Sequence, residues 1–181
     1  MADVAPGRPE VLFLGGRSGV GKSTVAEALH DLLVGADVHH AVIEGDVLDL
    51  AHPAPRVAHP GLRLAERNLA RLWSAYRDLG HHRLVFTNTV SVLEQDRLAA
   101  AVGDDPVVTA VLLRAGDDVT AERLGRRSGG VVPSAQLAHS ARTARRLDTA
   151  TPDAVTRVDT DGRTPEQVAR HLASLTGWLP A

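Results

Sequence analysis

Gly16-Arg17-Ser18-Gly19-Val20-Gly21-Lys22-Ser23 lies between the apolar run Val11-Leu12-Phe13-Leu14 and an amphipathic stretch that opens at Lys22. It fits G-x-x-x-x-G-K-[ST] without a gap. The glycines let the backbone curl until its N–H groups face a phosphate chain. A helix beginning at Lys22 adds the positive end of its dipole. In this pattern Lys22 reaches the β- and γ-phosphates and Ser23 ligates Mg²⁺. The strand-before, helix-after context separates it from a merely glycine-rich turn. The expected contacts of the nucleotide therefore run from Gly16 through Arg17, Ser18, Gly19, Val20, Gly21, Lys22 and Ser23 to Thr24, with ATP and Mg²⁺ as the implied ligands.

Lys22 is the only lysine in 181 residues, against 19 arginines. An ammonium is a compact point charge, whereas a guanidinium is a wide planar fork. The one lysine thus sits where a compact cation must fit inside a loop.

Working outward, apolar positions Val25, Ala28, Leu29, Leu32 and Leu33 predict a helix from about Lys22 to Leu33. Ala41-Val42-Ile43 reads as a second strand, and a Pro- and His-rich loop follows through Pro60. A helix fits Leu62 to Leu79, with Leu69, Leu72, Trp73, Tyr76 and Leu79 expected on its buried side and Gly80 stopping it. Leu84-Val85-Phe86 reads as a third strand, Ser91 to Val102 as a helix, and Val107 to Leu113 as a fourth strand. Helices are expected near Asp117–Arg127 and Ser134–Leu147, then a fifth strand over Val155–Val158. Thr164-Pro165-Glu166-Gln167 has the capping-box pattern, with Pro at the first helical position of the last helix. This alternation predicts an α/β fold: one domain over 1–181, with a five-stranded parallel sheet, helices on both faces, and a small helical lid at about 117–147.

Composition narrows the function. The formal charge is −2, so no global basic field favours nucleic acid or an anionic membrane. There is no cysteine, which removes disulfides and thiolate chemistry. Residues 1–9 read as a loose polar tail and not as a signal peptide, so the expected compartment is the cytoplasm. No apolar run is long enough to span a bilayer. His39-His40 and His81-His82 are adjacent pairs without the i, i+4 spacing of a helical zinc site.

Ile43-Glu44-Gly45-Asp46 carries two carboxylates to the carboxyl end of the second strand, the edge where open parallel sheets bind ligands. Phosphoryl transfer needs mainly positioning and charge neutralisation. Asp46 is the preferred group to orient an acceptor hydroxyl, accept its proton or hold a water on Mg²⁺, with Glu44 second. The alternative is that both are solvated loop acids or helix caps.

Glu44-Gly45-Asp46 resembles the Asp-Gly-Asp element of adenylylsulfate kinases. Arg63, followed by Glu66 to Arg71 with Asn68, resembles that family's Arg and Glu-Asn-x-x-Arg helix. Shikimate, gluconate and chloramphenicol kinases are similar in placing an acid after the second strand. Nearly the whole chain resembles small-molecule kinases of the nucleotide-kinase-like superfamily. The resemblance implies Arg123 near the adenine, and Arg126 or Arg127 near the phosphates. It also implies that the loop Asp159–Thr164, through Gly162, lies along the base. One departure stands out: the third strand ends Thr87-Asn88-Thr89, with no acid at the usual Walker-B place.

Arg123-Leu124-Gly125-Arg126-Arg127 and Arg142-Thr143-Ala144-Arg145-Arg146 both read R-x-x-R-R. On a helix that spacing groups three guanidiniums, suited to closing over a triphosphate or simply to a solvated face. His52, Arg56, His59, Arg63, Arg67 and Arg71, with Thr87 and Asn88, are candidates for an acceptor pocket. Arg63 and Asn88 are the ones chosen. The expectation is an ATP-dependent phosphotransferase acting on a hydroxylated small molecule. The competing reading is a regulatory or accessory ATPase that works through a protein partner.

Overall fold

The structure, a computed structural model, describes residues 7–59 and 61–180. Most of the expected tail therefore lies outside the described residues. Of its last residues, Arg8 pairs with Asp105, and the Pro9 carbonyl accepts from Val107 N at 2.8 Å.

The elements run β1 (Glu10–Gly15), α1 (Lys22–Gly35), β2 (Ala41–Glu44), α2 (Pro55–Ala58), α3 (Leu64–Asp78), β3 (Arg83–Thr87), α4 (Gln95–Val102), β4 (Val107–Arg114), α5 (Asp117–Arg127), α6 (Ser134–Ala150), β5 (Thr156–Asp159) and α7 (Pro165–Thr176). The five strands form one parallel sheet in the order β2-β3-β1-β4-β5.

Alternation along each strand decides which helix it meets. On β1, Leu12 and Leu14 face one way and pack with Val25, Leu29 and Leu33 of α1 and Val168 and Leu172 of α7. Val11 and Phe13 face the other way, toward Leu69 and Trp73 of α3 and Leu98 of α4. Both sets are buried, which is why these strands read as continuous apolar runs. Phe13 and Phe86 meet edge to face at 5.9 Å between centroids, joining β1 to β3 inside the second layer. At the chain's end, Trp178 is buried and its Nε1 donates to Glu10 Oε2 at 2.8 Å, tying the segment after α7 to the start of β1.

Two expectations are corrected. Leu72 and Leu79 are 44% and 74% exposed, so the buried side of α3 is narrower than its leucines suggest. The stretch Ser91–Val102 is not one helix: a 3-10 turn over Ser91–Leu93 precedes α4. The turn drops Val92 against Gly15, where a Cβ would lie 2.8 Å from Val92 Cγ1. There Val92 shares a cluster with Leu112 and Leu147. A straight helix from Ser91 would not set Val92 into that gap. The Pro-rich loop also contains the short helix α2.

The topology positions the site. The chain leaves β1 toward β2 on one side of the sheet, and leaves β3 toward β4 on the other. The adjacent carboxyl ends of β1 and β3 therefore open a crevice, with the end of β2 beside it.

Candidate nucleotide and phosphoryl-transfer site

The turn from β1 into α1 leaves a cleft of about 1020 Å³ at that edge. Every residue from Arg17 to Thr24 lines it, together with Glu44, Asp46, Thr89, Arg123, Arg126, Arg127, Thr160 and Arg163. Gly16 completes the loop at its β1 end, and its N–H donates to the Thr89 carbonyl at 3.2 Å.

Lys22 is 7% exposed, and its ammonium is held from three sides. Nζ donates to the Gly16 carbonyl at 2.9 Å and to Thr89 Oγ1 at 3.4 Å, and lies 3.4 Å from Asp46 Oδ2. A guanidinium brought into this space would carry two further nitrogens with no room to turn. The Asp46 carboxylate is fixed on both oxygens: Oδ1 accepts from Thr89 N at 2.9 Å and Oδ2 from Thr89 Oγ1 at 3.2 Å.

Gly45 sets this placement. A Cβ there would strike the Phe86 ring and lie 2.8 Å from the Thr87 carbonyl. The chain leaving β2 thus lies flat on the end of β3, and Asp46 reaches across to Thr89.

Glu44, one residue earlier, meets a different partner. Ser23 Oγ donates to Glu44 Oε2 at 2.9 Å. The two acids are therefore divided: Glu44 on the Ser23 hydroxyl, Asp46 on the lysine. Ser23 and Asp46, the two residues expected at the metal, both line the cleft. Oxygen-only donors of this kind suit Mg²⁺, which takes one or two carboxylates and completes its shell with water and phosphate oxygens. The residues present fit that ion.

The arginines are less uniform than their spacing. Arg17 is 4% exposed, and its guanidinium is committed to the start of α5: to the Gly116 carbonyl at 2.9 Å, Thr120 Oγ1 at 2.6 Å, and the Asp117 carboxylate. Its side chain is a strut under the loop. Arg123 bridges Val20 O at 3.0 Å and Thr160 Oγ1 at 2.8 Å, linking the loop to the β5–α7 turn that contains Gly162. Arg126 pairs with Glu122 one helical turn back, and Arg127 is exposed at the same rim. Arg63 and Asn88 are not among the residues lining the cleft. Arg63 precedes α3 in a left-handed conformation, and Asn88 Oδ1 accepts from Val90 N at 2.8 Å inside its own loop.

Four hydroxyls escaped the sequence reading. Besides Thr89, Thr120 holds Arg17, Thr160 Oγ1 donates to Val20 O at 3.2 Å, and Ser140 Oγ donates to Ser18 O at 2.9 Å. Nothing in their local sequence marks them, because each acts on a residue at least 100 positions away or, for Thr89, on Asp46 in the turn after another strand. The only trace was negative, the missing acid at Thr87-Asn88-Thr89.

The family model described as AAA domain matches residues 12–131, more than half of the chain, from β1 through the R-x-x-R-R segment of α5. The chain belongs to the AAA domain family. No curated protein matches it. Among solved structures, this AAA-domain chain is similar to the Deinococcus radiodurans tunicamycin resistance protein: 24% identity, TM-score 0.63, covering 96% of this chain and 100% of that one. It is similar to a gluconokinase from Sinorhizobium meliloti 1021 at 22% identity and TM-score 0.62, with 94% of both chains covered. The Mycobacterium tuberculosis APS kinase, solved with AMPPNP and APS, matches at 24% identity and TM-score 0.56 over 95% of this chain and 99% of that one. At these identities the likeness shows a shared P-loop kinase-like fold. No helix of the described residues is long and apolar enough to cross a membrane.

Proposed function

We propose that this AAA-domain protein is an ATP-dependent phosphotransferase that moves the γ-phosphoryl group to a hydroxyl of a small molecule. The observation that carries the reading is the Asp46 carboxylate, held by Thr89 and 3.4 Å from the ammonium of Lys22. A carboxylate fixed there adjoins the place where the loop delivers the terminal phosphate. The kinase names of two structural neighbours support the same class.

The loop N–H groups and the α1 dipole bind the phosphate chain, and Lys22 moves from its resting partners onto the β- and γ-oxygens. Asp46 orients the acceptor. The hydroxyl oxygen forms a bond to the γ-phosphorus as the bond to the bridging β–γ oxygen breaks. The acceptor proton passes to Asp46, and ADP leaves with the electron pair of the broken bond. Ser23 and Glu44 would hold Mg²⁺, which when bound supplies charge neutralisation at the phosphate oxygens. Arg127, and Arg126 once released from Glu122, are placed at the rim to neutralise equatorial charge. Arg123 and the Thr160–Gly162 turn flank the nucleoside end. The segment from α5 to α6 acts as a cover, with a soluble small-molecule acceptor in the cytoplasm as the setting.

The test is acceptor-dependent ADP release. Pools of nucleosides, sugars, hydroxy acids and antibiotics are supplied with Mg-ATP, and Asp46→Asn serves as the control. A pool that raises ADP in the wild type but not in the variant supports the reading and starts to name the acceptor. ATP binding with no response to any pool shifts weight to an accessory ATPase acting through a protein partner.

A further inference from the structure

Thr89 spends all of its polar groups on the junction between the phosphate loop and Asp46. Its carbonyl accepts from Gly16 N at 3.2 Å, and its N–H donates to Asp46 Oδ1 at 2.9 Å. Its hydroxyl donates to Asp46 Oδ2 at 3.2 Å and accepts from Lys22 Nζ at 3.4 Å. It stands just past the end of β3, two residues beyond Thr87. That is the strand end where an acid is missing.

We propose that Thr89 is a positioning residue for phosphoryl transfer. It replaces no charge. It grips the carboxylate that arrives from β2 by both oxygens, and keeps its plane fixed relative to the phosphate loop. Two donors on two oxygens leave a carboxylate little freedom to rotate, whereas one donor leaves it free to swing. Asp46 is 37% exposed on its side chain, so without the hydroxyl it drifts toward water. The grip also matters when nucleotide arrives. Lys22 then exchanges Asp46 for phosphate oxygens, and the Thr89 hydroxyl and N–H are what remain to hold Asp46 in line. Misplacing a reacting group by about 1 Å costs roughly 100-fold in rate.

This inference rests on the phosphotransferase reading. Its test uses Thr89→Val, which removes the hydroxyl and keeps the N–H and the shape, and Thr89→Ser, which restores the hydroxyl. Thr89→Ala serves if the valine variant fails to fold by circular dichroism. Each is made alone and in the Asp46→Asn background. ADP release is followed at saturating Mg-ATP, with water as acceptor and with whichever pool stimulates the wild type. Nucleotide affinity is measured separately with a fluorescent ATP analogue. The expected result for Thr89→Val is a kcat lower by roughly 10- to 100-fold, with nucleotide affinity within about threefold of wild type. Thr89→Ser should recover to within about threefold. In the Asp46→Asn background, loss of the hydroxyl should cost nothing further, because the two residues act as one unit. A structural role alone would lower both backgrounds alike and would weaken nucleotide binding. Turnover of Thr89→Val equal to an active wild type overturns the assignment of Thr89 and leaves the phosphotransferase reading standing. A wild type that binds Mg-ATP but releases no ADP under any condition overturns both.

Discussion

At the scale of single residues, the site is organised around one compact cation. Lys22 sits in a pocket bounded by the Gly16 carbonyl, Thr89 and Asp46, and it is nearly inaccessible. Lys22→Ala should lower turnover by about 100- to 1,000-fold, the usual loss for one donor aimed at developing charge. Lys22→Arg should fare little better despite its charge, and steady-state ADP release compares the two. Gly45 makes the second case. Gly45→Ala forces a methyl onto the Phe86 ring, so it should destabilise the fold by roughly 1–3 kcal/mol in urea melts. It should also lose turnover, because Asp46 moves with the backbone. A stable and active Gly45→Ala would mean that Asp46 is not positioned by that close approach. That Lys22, Ser23 and Asp46 meet at one cleft was legible, because they lie in a contiguous motif or at a strand end. The pairing of Glu44 with Ser23 was not legible, since two neighbouring acids on a strand end look alike until the fold gives each a different partner.

At the scale of elements, the phosphate loop is braced from α5 and α6 as much as by its own turn. Ser140 on α6 and Thr120 on α5 reach it through Ser18 O and Arg17, and a Cβ on Gly19 would lie 2.7 Å from Thr120 and 2.8 Å from Leu124. The first turns of α5 are therefore packed on the loop. Removing the strut with Arg17→Met should weaken ATP binding several-fold with a smaller effect on kcat, measured by analogue titration and initial rates. A helix cap far from this contact provides the contrast. Thr164→Ala breaks a capping box in which Gln167 N donates to Thr164 Oγ1 and Thr164 N donates to Gln167 Oε1. It should cost about 1 kcal/mol of stability, read in urea melts. The cap was readable because it lies within four residues of sequence. The strut was not, because Arg17 and Thr120 are 103 positions apart. The same distinction explains α3: Leu69 and Trp73 were correctly placed inside, while Leu72 and Leu79 follow a helical period that no other element covers.

At the scale of the whole molecule, the parallel sheet separates its chemistry into two edges. Loops leaving the strands build the cleft, and loops entering them gather histidines. His39-His40 enters β2 and His81-His82 enters β3, adjacent strands whose amino ends lie side by side. His30 on α1 joins them, its Nδ1 2.9 Å from His40 Nε2, while His40 Nδ1 donates to the Val38 carbonyl at 2.7 Å. That second bond leaves Nε2 of His40 as an acceptor, so the pair is compatible with a neutral His40. Burial lowers the His40 pKa, outweighing the Val38 bond, with His30, His81 and Arg83 pushing the same way. Burial and then Arg83 also lower His82, against the pull of Glu10. A depressed histidine pKa means that the unfolded chain binds more protons than the folded one once the pH falls below about 6.5, the ordinary value. Stability is then full above that point and declines as the solution is acidified through it. Melting temperature should accordingly fall by a few degrees between pH 7.5 and pH 5.5, a window above the ordinary carboxylate range. His40→Gln with His82→Gln should flatten that fall. Because the cluster occupies the sheet edge opposite the cleft, nucleotide affinity of the folded protein at pH 7.5 should be the same in the double variant and the wild type. Equal melting losses in both proteins would assign the acid sensitivity to groups other than these two.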